Sequence, residues 1–390
     1  MTLSRVAMVG AVVAGVFAGA PLAGAQPLPT PGPELPQIPS LPLPVPAVPA
    51  TSSPATSTPV VSATPAAQAT TTPAAQATTT PAAQATTTPA VPPTSTPATT
   101  TPAATSVAAA PAACKPWTVS TVASGFGTLE NLGFDGRGKM LLSESTVLGD
   151  GAIRTLTPGG DKGTLVSSVN SPGGIVVDGG RVLFNTGDNV MAGLYGSTNG
   201  TVESVDLDGG KRSTLAHGLT MPNGLAKLEN GDLLVTNVLG GKPGIVRIPA
   251  TDPHEPVTVR TDIGSANGIF ASPDGKTVYV GNTLEETTQI RVLDAKDLTG
   301  PVRVLSLPGA GPANAGDDLT VGADGNLYEA LNGAGKVVRV DPASGDTCEI
   351  ATGLPLTSSV RFGAGPGWDA TALYATSFEG TVHKLVPPAN

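Results

Sequence analysis

Two cysteines and three histidines are all that this 390-residue chain offers as sulfur or imidazole ligands. A structural zinc site needs more of them than that, and His217, His254 and His383 stand far apart in the chain. No Gly-x-Ser-x-Gly string occurs, which disfavours a serine hydrolase built on a nucleophile elbow. Basic residues are also short, with 21 Lys and Arg against 30 Asp and Glu and a net charge of −9. Such a balance argues against nucleic acid or an anionic membrane as partner, and it is compatible with cation binding. After Leu22 no apolar run resembles a membrane span. Aromatics are only 3% of the chain, while glycine numbers 49, a composition suited to tight turns and thin, closely packed sheets.

The chain divides into three stretches of different composition. Arg5, the apolar run Val6 to Leu22 and the small residues Ala23-Gly24-Ala25 form a secretory signal, with cleavage expected after Ala25. No Cys follows the apolar run, so a lipid anchor there is not expected. Residues 26–113 are Pro, Ala, Thr and Ser with Glu34 as the only charge, and the unit TPAAQATT recurs from Thr64, Thr72 and Thr80. This stretch cannot bury enough apolar surface to offset its conformational entropy, so an extended, disordered linker is expected. It reads equally as a plain spacer or as an O-glycosylated stalk. From Cys114 the composition changes, and the remaining 277 residues suffice for one large all-β domain.

That domain is repetitive. "SANGIFASPDGKTVYVGNT" from Ser265 places a Pro-Asp-Gly turn between two short apolar runs, a strong hairpin signal. Related strings begin at Glu130, Gly173, Asn223, Asp317 and Ser359, so successive matched residues lie 43, 50, 44, 50 and 42 apart. These lengths suit four-stranded propeller blades. "GIVRIPA", "QIRVLDA" and "KVVRVDP" read as third strands; "RSTLAHGL", "PVTVRTDI" and "DTCEIATGL" read as outer strands. The sixth unit stops after the third strand "TVHKLV", and "WTVSTVASGF" near the domain's start supplies its missing partner. The expected fold is therefore all-β: a six-bladed β-propeller over residues 114–390 whose N-terminal strand closes the last blade. Closure removes sheet edges. It would also bring Cys114 and Cys348 to neighbouring outer strands, and in an exported chain a lone pair is expected to form a disulfide.

The matched positions read Glu130, Gly173, Asn223, Asn267, Asp317 and Ser359 around the ring. The first strand of a blade is innermost, so these positions should surround the central channel. Four of them carry carbonyl or carboxylate oxygens, two of them acidic, a set that suits a hard divalent cation such as Ca²⁺, with Mn²⁺ or Zn²⁺ as competitors. Taken singly, each Asn or Asp is explained by local turn preference, and only the set points to metal. Asp135, Asp274 and Asp324 sit between strands and are assigned to turns. Gly187, Asn237 and Asn282, near second-strand ends, are candidates for the same mouth.

From about residue 114 the chain resembles the senescence marker protein/gluconolactonase family, on the strings "PNGLA", "NGIFASPDGKTVYVGNT" and "DDLTVGADGNLY". Members of that family hold one divalent metal in the channel through a Glu, two Asn and an Asp. The resemblance assigns these roles to Glu130, Asn223, Asn267 and Asp317, in the same chain order. It implies lactone hydrolysis, with the metal polarising the ester carbonyl and Asp317 acting as general base. Three departures stand out. Glu130 is followed by Asn-Leu where the family usually has Gly-Pro, and Asp318 replaces the usual Gly, so either acid could take the role. Met221 occupies the place of a substrate-binding Arg, which points from sugar lactones toward a more apolar ester. The expected protein is thus a secreted or envelope-associated monomer that hydrolyses a small lactone or ester with a divalent metal. The other reading is a non-catalytic propeller that binds an envelope polymer.

Overall fold

Asp-Gly turns set the folding unit. Asp135 Oδ1 accepts from the backbone N–H groups of Arg137 (2.7 Å) and Lys139 (2.8 Å), while Asp274 and Asp324 accept from those of Lys276 and Asn326 (both 3.1 Å). Gly275 and Gly325 take the left-handed backbone that such turns need, at φ 68° and 79°. These three acids therefore hold hairpins, as the sequence assigns them.

The computed structural model describes residues 114–146 and 150–389. The signal segment and the linker expected over 1–113 lie outside the described residues. The first strand, β1 (Thr118–Ala123), is set apart from the regular series that follows it. Blade I is β2 (Thr128–Phe134), β3 (Met140–Ser145), β4 (Asp150–Leu156) and β5 (Lys162–Asn170). Blade II is β6 (Ile175–Asp178), β7 (Arg181–Thr186), β8 (Gly200–Asp206) and β9 (Ser213–Leu219), with a short helix α1 (Val190–Tyr195) between its second and third strands. Blade III comprises β10 (Pro222–Lys227), β11 (Leu233–Asn237), β12 (Gly244–Ile248) and β13 (Val257–Arg260). Blade IV follows with β14 (Ala266–Ala271), β15 (Thr277–Asn282), β16 (Thr287–Asp294) and β17 (Arg303–Ala310). A single helical turn, α2 (Gly311–Asn314), leads into blade V: β18 (Gly316–Val321), β19 (Leu327–Leu331), β20 (Lys336–Val340) and β21 (Thr347–Thr352). Blade VI has β22 (Thr357–Phe362), β23 (Leu373–Ser377) and β24 (Thr381–Val386), and β1 pairs antiparallel with β24 as its outer strand.

The ring closes as the sequence implies. Cys114 and Cys348, 234 positions apart in the chain, form a disulfide with Cα atoms 5.6 Å apart. Beside it the Trp117 N–H donates to the Ile350 carbonyl (2.7 Å), so the segment entering β1 is tied to β21 twice. The scarce aromatics gather on both flanks of the closing blade. Trp117, Tyr328 and Phe362 pack between blades V and VI, and Phe134, Trp368 and Tyr374 between VI and I. Elsewhere Val, Leu, Ile and Ala predominate between blades, as with Leu234 and Ile245 against Val278 and Val280, joined by Phe184 between blades I and II and Tyr279 between IV and V. Burying a Leu or Ile completely contributes about 1.5–3 kcal/mol, so the aliphatic interfaces carry much of the stability.

Two irregularities recur where the innermost strands begin, and both bear on the site. In five of the six blades the chain turns left-handed at a non-glycine residue just before the innermost strand: Ser171, Met221, Ser265, Ala315 and Leu356, with φ between 40° and 54°. Such a conformation costs about 1–2 kcal/mol per residue, and its repetition in five blades marks a built kink. A β-bulge follows. Residues 130–131, 223–224, 267–268, 317–318 and 358–359 each set two residues against one on the second strand. Bulges re-aim side chains. The sixth blade corrects the sequence alignment: Ser358, and not Ser359, is the counterpart of Asp317, while Ser359 corresponds to Asp318.

Candidate metal centre

The first residues of four bulges, Glu130, Asn223, Asn267 and Asp317, line one cavity of about 340 Å³ at a mouth of the channel. The second residue is glycine at Gly224 and Gly268, and in the other three bulges, at Asn131, Asp318 and Ser359, it joins a buried network. Asn131 Nδ2 (2.8 Å) and Ser359 Oγ (2.5 Å) donate to Asp318 Oδ2, Arg361 Nη1 forms an ion pair with the same oxygen (2.7 Å), and the Leu319 N–H donates to Oδ1. Asp318 is thus fully committed inside the channel wall. Of the two adjacent acids, Asp317 is the one presented to the cavity.

The bulges are held from the second strand of the preceding blade. Ser143 Oγ donates to the carbonyl of Gly173, Asn185 Nδ2 to that of Asn223 (2.8 Å) and Thr236 Oγ1 to that of Asn267. The corresponding residue before Asp317 is Gly281, which has no side chain, and Glu329 reaches into the space. Its Oε1 lies 2.9 Å from where a Cβ on Gly281 would be. Burial, and then the charge of Asp318, hold the Glu329 carboxyl well above its usual range.

The cavity floor gathers three carboxyls and three amides. Asn223 Nδ2 donates to Glu130 Oε1 (2.8 Å) and to Asp188 Oδ2 (2.9 Å), and Asn332 Nδ2 donates to Asp317 Oδ2 (3.2 Å). Asn267 Nδ2 donates to Thr283 Oγ1 (2.9 Å), but the Asn267 Oδ1, on a residue only 6% exposed, has no partner among the described residues. Burial raises Glu130 to about 7, opposed by the Asn223 hydrogen bond and aided by the charge of Asp318. Asp188 is raised well above its ordinary value by burial and by Glu130. Asp317 is raised by burial and then by Glu130, Asp318 and Asp188.

These observations test the fit of a cation directly. Among the described residues three carboxyls line the cavity with no cationic side chain beside them, and a buried amide oxygen lacks a donor. Burying unpaired charge is costly unless a counter-charge is present, so the donor set fits a divalent ion. Among the described residues no three His, Cys, Asp or Glu side chains converge closely enough to hold a metal by themselves. Amide oxygens must therefore complete the shell, and oxygen-only ligation suits Ca²⁺ better than Zn²⁺.

The sequence did not single out Asp188 or Asn332. Gly187, Asn237 and Asn282 do not line the cavity; the next residue does in each case, Asp188, Val238 and Thr283. The signal available was the Asp at the end of "FNTGD", one position beyond the glycine chosen.

A pH dependence follows from the raised carboxyls. The folded chain keeps protons on Glu130, Asp188 and Asp317 that the unfolded chain releases, so metal-free stability falls as pH rises from about 4.5 through about 7 and beyond. Chelator-treated protein should melt lower at about pH 8 than at about pH 5, and Ca²⁺ should reverse most of that loss at the higher pH. Equal melting temperatures at the two pH values would contradict the assigned protonation.

A family model described as the SMP-30/Gluconolactonase/LRE-like region matches residues 152–379, more than half of the chain. Among solved structures, a calcium-binding regucalcin from Agrobacterium tumefaciens is similar at 20% identity and a TM-score of 0.56, covering 70% of this chain and 95% of its own. A gluconolactonase from Xanthomonas campestris is similar at 18% identity and a TM-score of 0.54, covering 69% and 89%. A luciferin-regenerating enzyme is similar at 16% identity and a TM-score of 0.53, covering 69% and 95%. At these identities the structures speak for the fold alone, whereas the match over residues 152–379 shows that the chain belongs to the SMP-30/gluconolactonase/LRE-like family.

Proposed function

We propose that the propeller binds one divalent cation, Ca²⁺ foremost, and hydrolyses a lactone or related ester. The observation that carries this reading is that Glu130, Asp188 and Asp317 line one cavity together with the unpartnered Asn267 oxygen. Glu130, Asn223, Asn267 and Asp317 would hold the ion, and Asp188 adds a third acid beside Asn223. A cation bound there supplies Lewis-acid polarisation of a carbonyl oxygen. Asp317, whose carboxyl burial raises well above its ordinary value, is suited to take a proton from water as that water's oxygen bonds to the carbonyl carbon. The ring C–O bond then breaks, and the same proton goes to the departing alkoxide, leaving a hydroxy acid. Asn332 orients the Asp317 carboxylate through its 3.2 Å hydrogen bond.

Export is part of the proposal. It is supported by the signal-like first 25 residues and by the disulfide, which favours an oxidising compartment. Metal analysis of the purified protein, followed by a panel of lactones and esters with and without chelator, tests the reading. Stoichiometric metal and chelator-sensitive turnover are expected. A bound metal without turnover of any substrate would favour the non-catalytic binding propeller.

A further inference from the structure

We propose that the substrate of this site carries an aliphatic chain, which lies along one apolar wall of the cavity. The inference rests on the lactone- and ester-hydrolase reading and names the substrate class within it. The acids and amides, with hydroxyls such as those of Thr128, Ser145 and Thr283, make up the polar part of the cavity. Apart from them Met221, Val238 and Leu239 form a separate buried cluster, with Val190 and Leu284 packed against it, and all five line the cavity. Among the described residues no Lys, Arg or His lines it, so an anionic headgroup meets no cationic donor there.

The wall is assembled on purpose-built backbone. Met221 sits in the left-handed kink two residues before Asn223, which places its side chain next to the metal-binding position. Helix α1 comes down on it at Gly193, where an added Cβ would lie 2.7 Å from both Leu239 Cβ and Met221 Sδ. Asn189 caps that helix by accepting from the Met191 N–H (2.9 Å). The helix continues the apolar surface outward: Met191 lines the cavity while 52% exposed, and Leu194 and Tyr195 are 37% and 80% exposed beside it. Methionine adapts its shape to flexible apolar partners. A cavity with polar groups at the reacting end and an apolar run toward solvent orients an alkyl lactone with its carbonyl inward.

The test is a chain-length series: γ-butyrolactone, γ-hexalactone, γ-octalactone and γ-dodecalactone, with gluconolactone as the hydroxylated comparison, assayed with Ca²⁺-loaded protein. Each methylene lodged on the wall should raise kcat/KM roughly threefold to fourfold until the chain leaves the cavity. Gluconolactone should rank below γ-octalactone. Met191→Ser and Leu284→Ser, at partly exposed positions where folding should survive, should each flatten the slope. Turnover without chain-length dependence, or a preference for gluconolactone, overturns the inference and leaves the hydrolase reading standing. If no lactone is turned over, calorimetry with the matching alkyl γ-lactams decides separately. Affinity rising with chain length upholds the apolar wall while the hydrolase reading fails, and flat or absent binding overturns the wall.

Discussion

Replacing Asp317 by Asn should lower Ca²⁺ affinity on the order of a hundredfold and abolish chelator-sensitive hydrolysis. The shape is kept, but a ligand charge and the proposed base are both lost. The same substitution should stabilise the metal-free protein. In the absence of a cation Asp317 is a buried carboxyl raised by its own burial and by Glu130, Asp318 and Asp188. An amide there removes that repulsion and keeps Asn332 within reach. Melting curves with chelator and with Ca²⁺ should therefore move in opposite directions relative to the parent. Asn267→Asp should keep or tighten metal binding while changing the charge presented to substrate. Asp324→Ala serves as the control, since Asp324 accepts from Asn326 and from the Tyr328 hydroxyl (2.9 Å) inside a turn. It should cost about 1–2 kcal/mol of stability and leave metal affinity alone. If all three substitutions shift stability modestly and none alters metal content, the acids are structural and the metal reading is wrong.

Reducing the disulfide should destabilise the propeller by about 2–4 kcal/mol. Without the bond, the unfolded chain regains the freedom of a loop of 234 residues. The folded chain then relies on the β1–β24 ladder and the Trp117 contacts to keep the ring shut. Denaturant titrations with and without reductant, or with Cys114→Ser combined with Cys348→Ser, measure the difference. Peptide mapping that found two free thiols, or a bridge between molecules, would falsify the clasp.

The repeat was legible because hairpin turns write themselves into sequence: the Asp-Gly pairs at 135, 274 and 324 recur at blade spacing. The closing strand was legible because a unit without an outer strand at one end implies one at the other. The cavity was legible only in part. Glu130, Asn223, Asn267 and Asp317 could be aligned because each opens an innermost strand, but side-chain direction there is set by the bulges. A bulge inserts one residue without a composition of its own, so Ser359 was matched where Ser358 belongs. The same uncertainty of one residue put Gly187 forward in place of Asp188. The left-handed kinks were invisible for a related reason. They are occupied by Ser, Met, Ala and Leu, none of which signals that conformation. Nor could neighbouring acids be told apart: only the contacts of Asn131, Ser359 and Arg361 show Asp318 turned away from the cavity.

The position of the clasp also determines how tension would travel through this molecule. Strand β1 lies at the rim of blade VI and is held there by its pairing with β24. A ladder at a rim, pulled from one end, opens pair by pair under little force. Cys114, however, precedes β1, and its sulfur is bonded to Cys348 in β21, the outer strand of the neighbouring blade. Traction applied along the chain from the N-terminal side reaches blade V through covalent bonds before β1 is loaded. The strand that completes the ring therefore lies slack behind the bond, and the rim ladder is shielded from peeling as long as the two sulfurs stay joined.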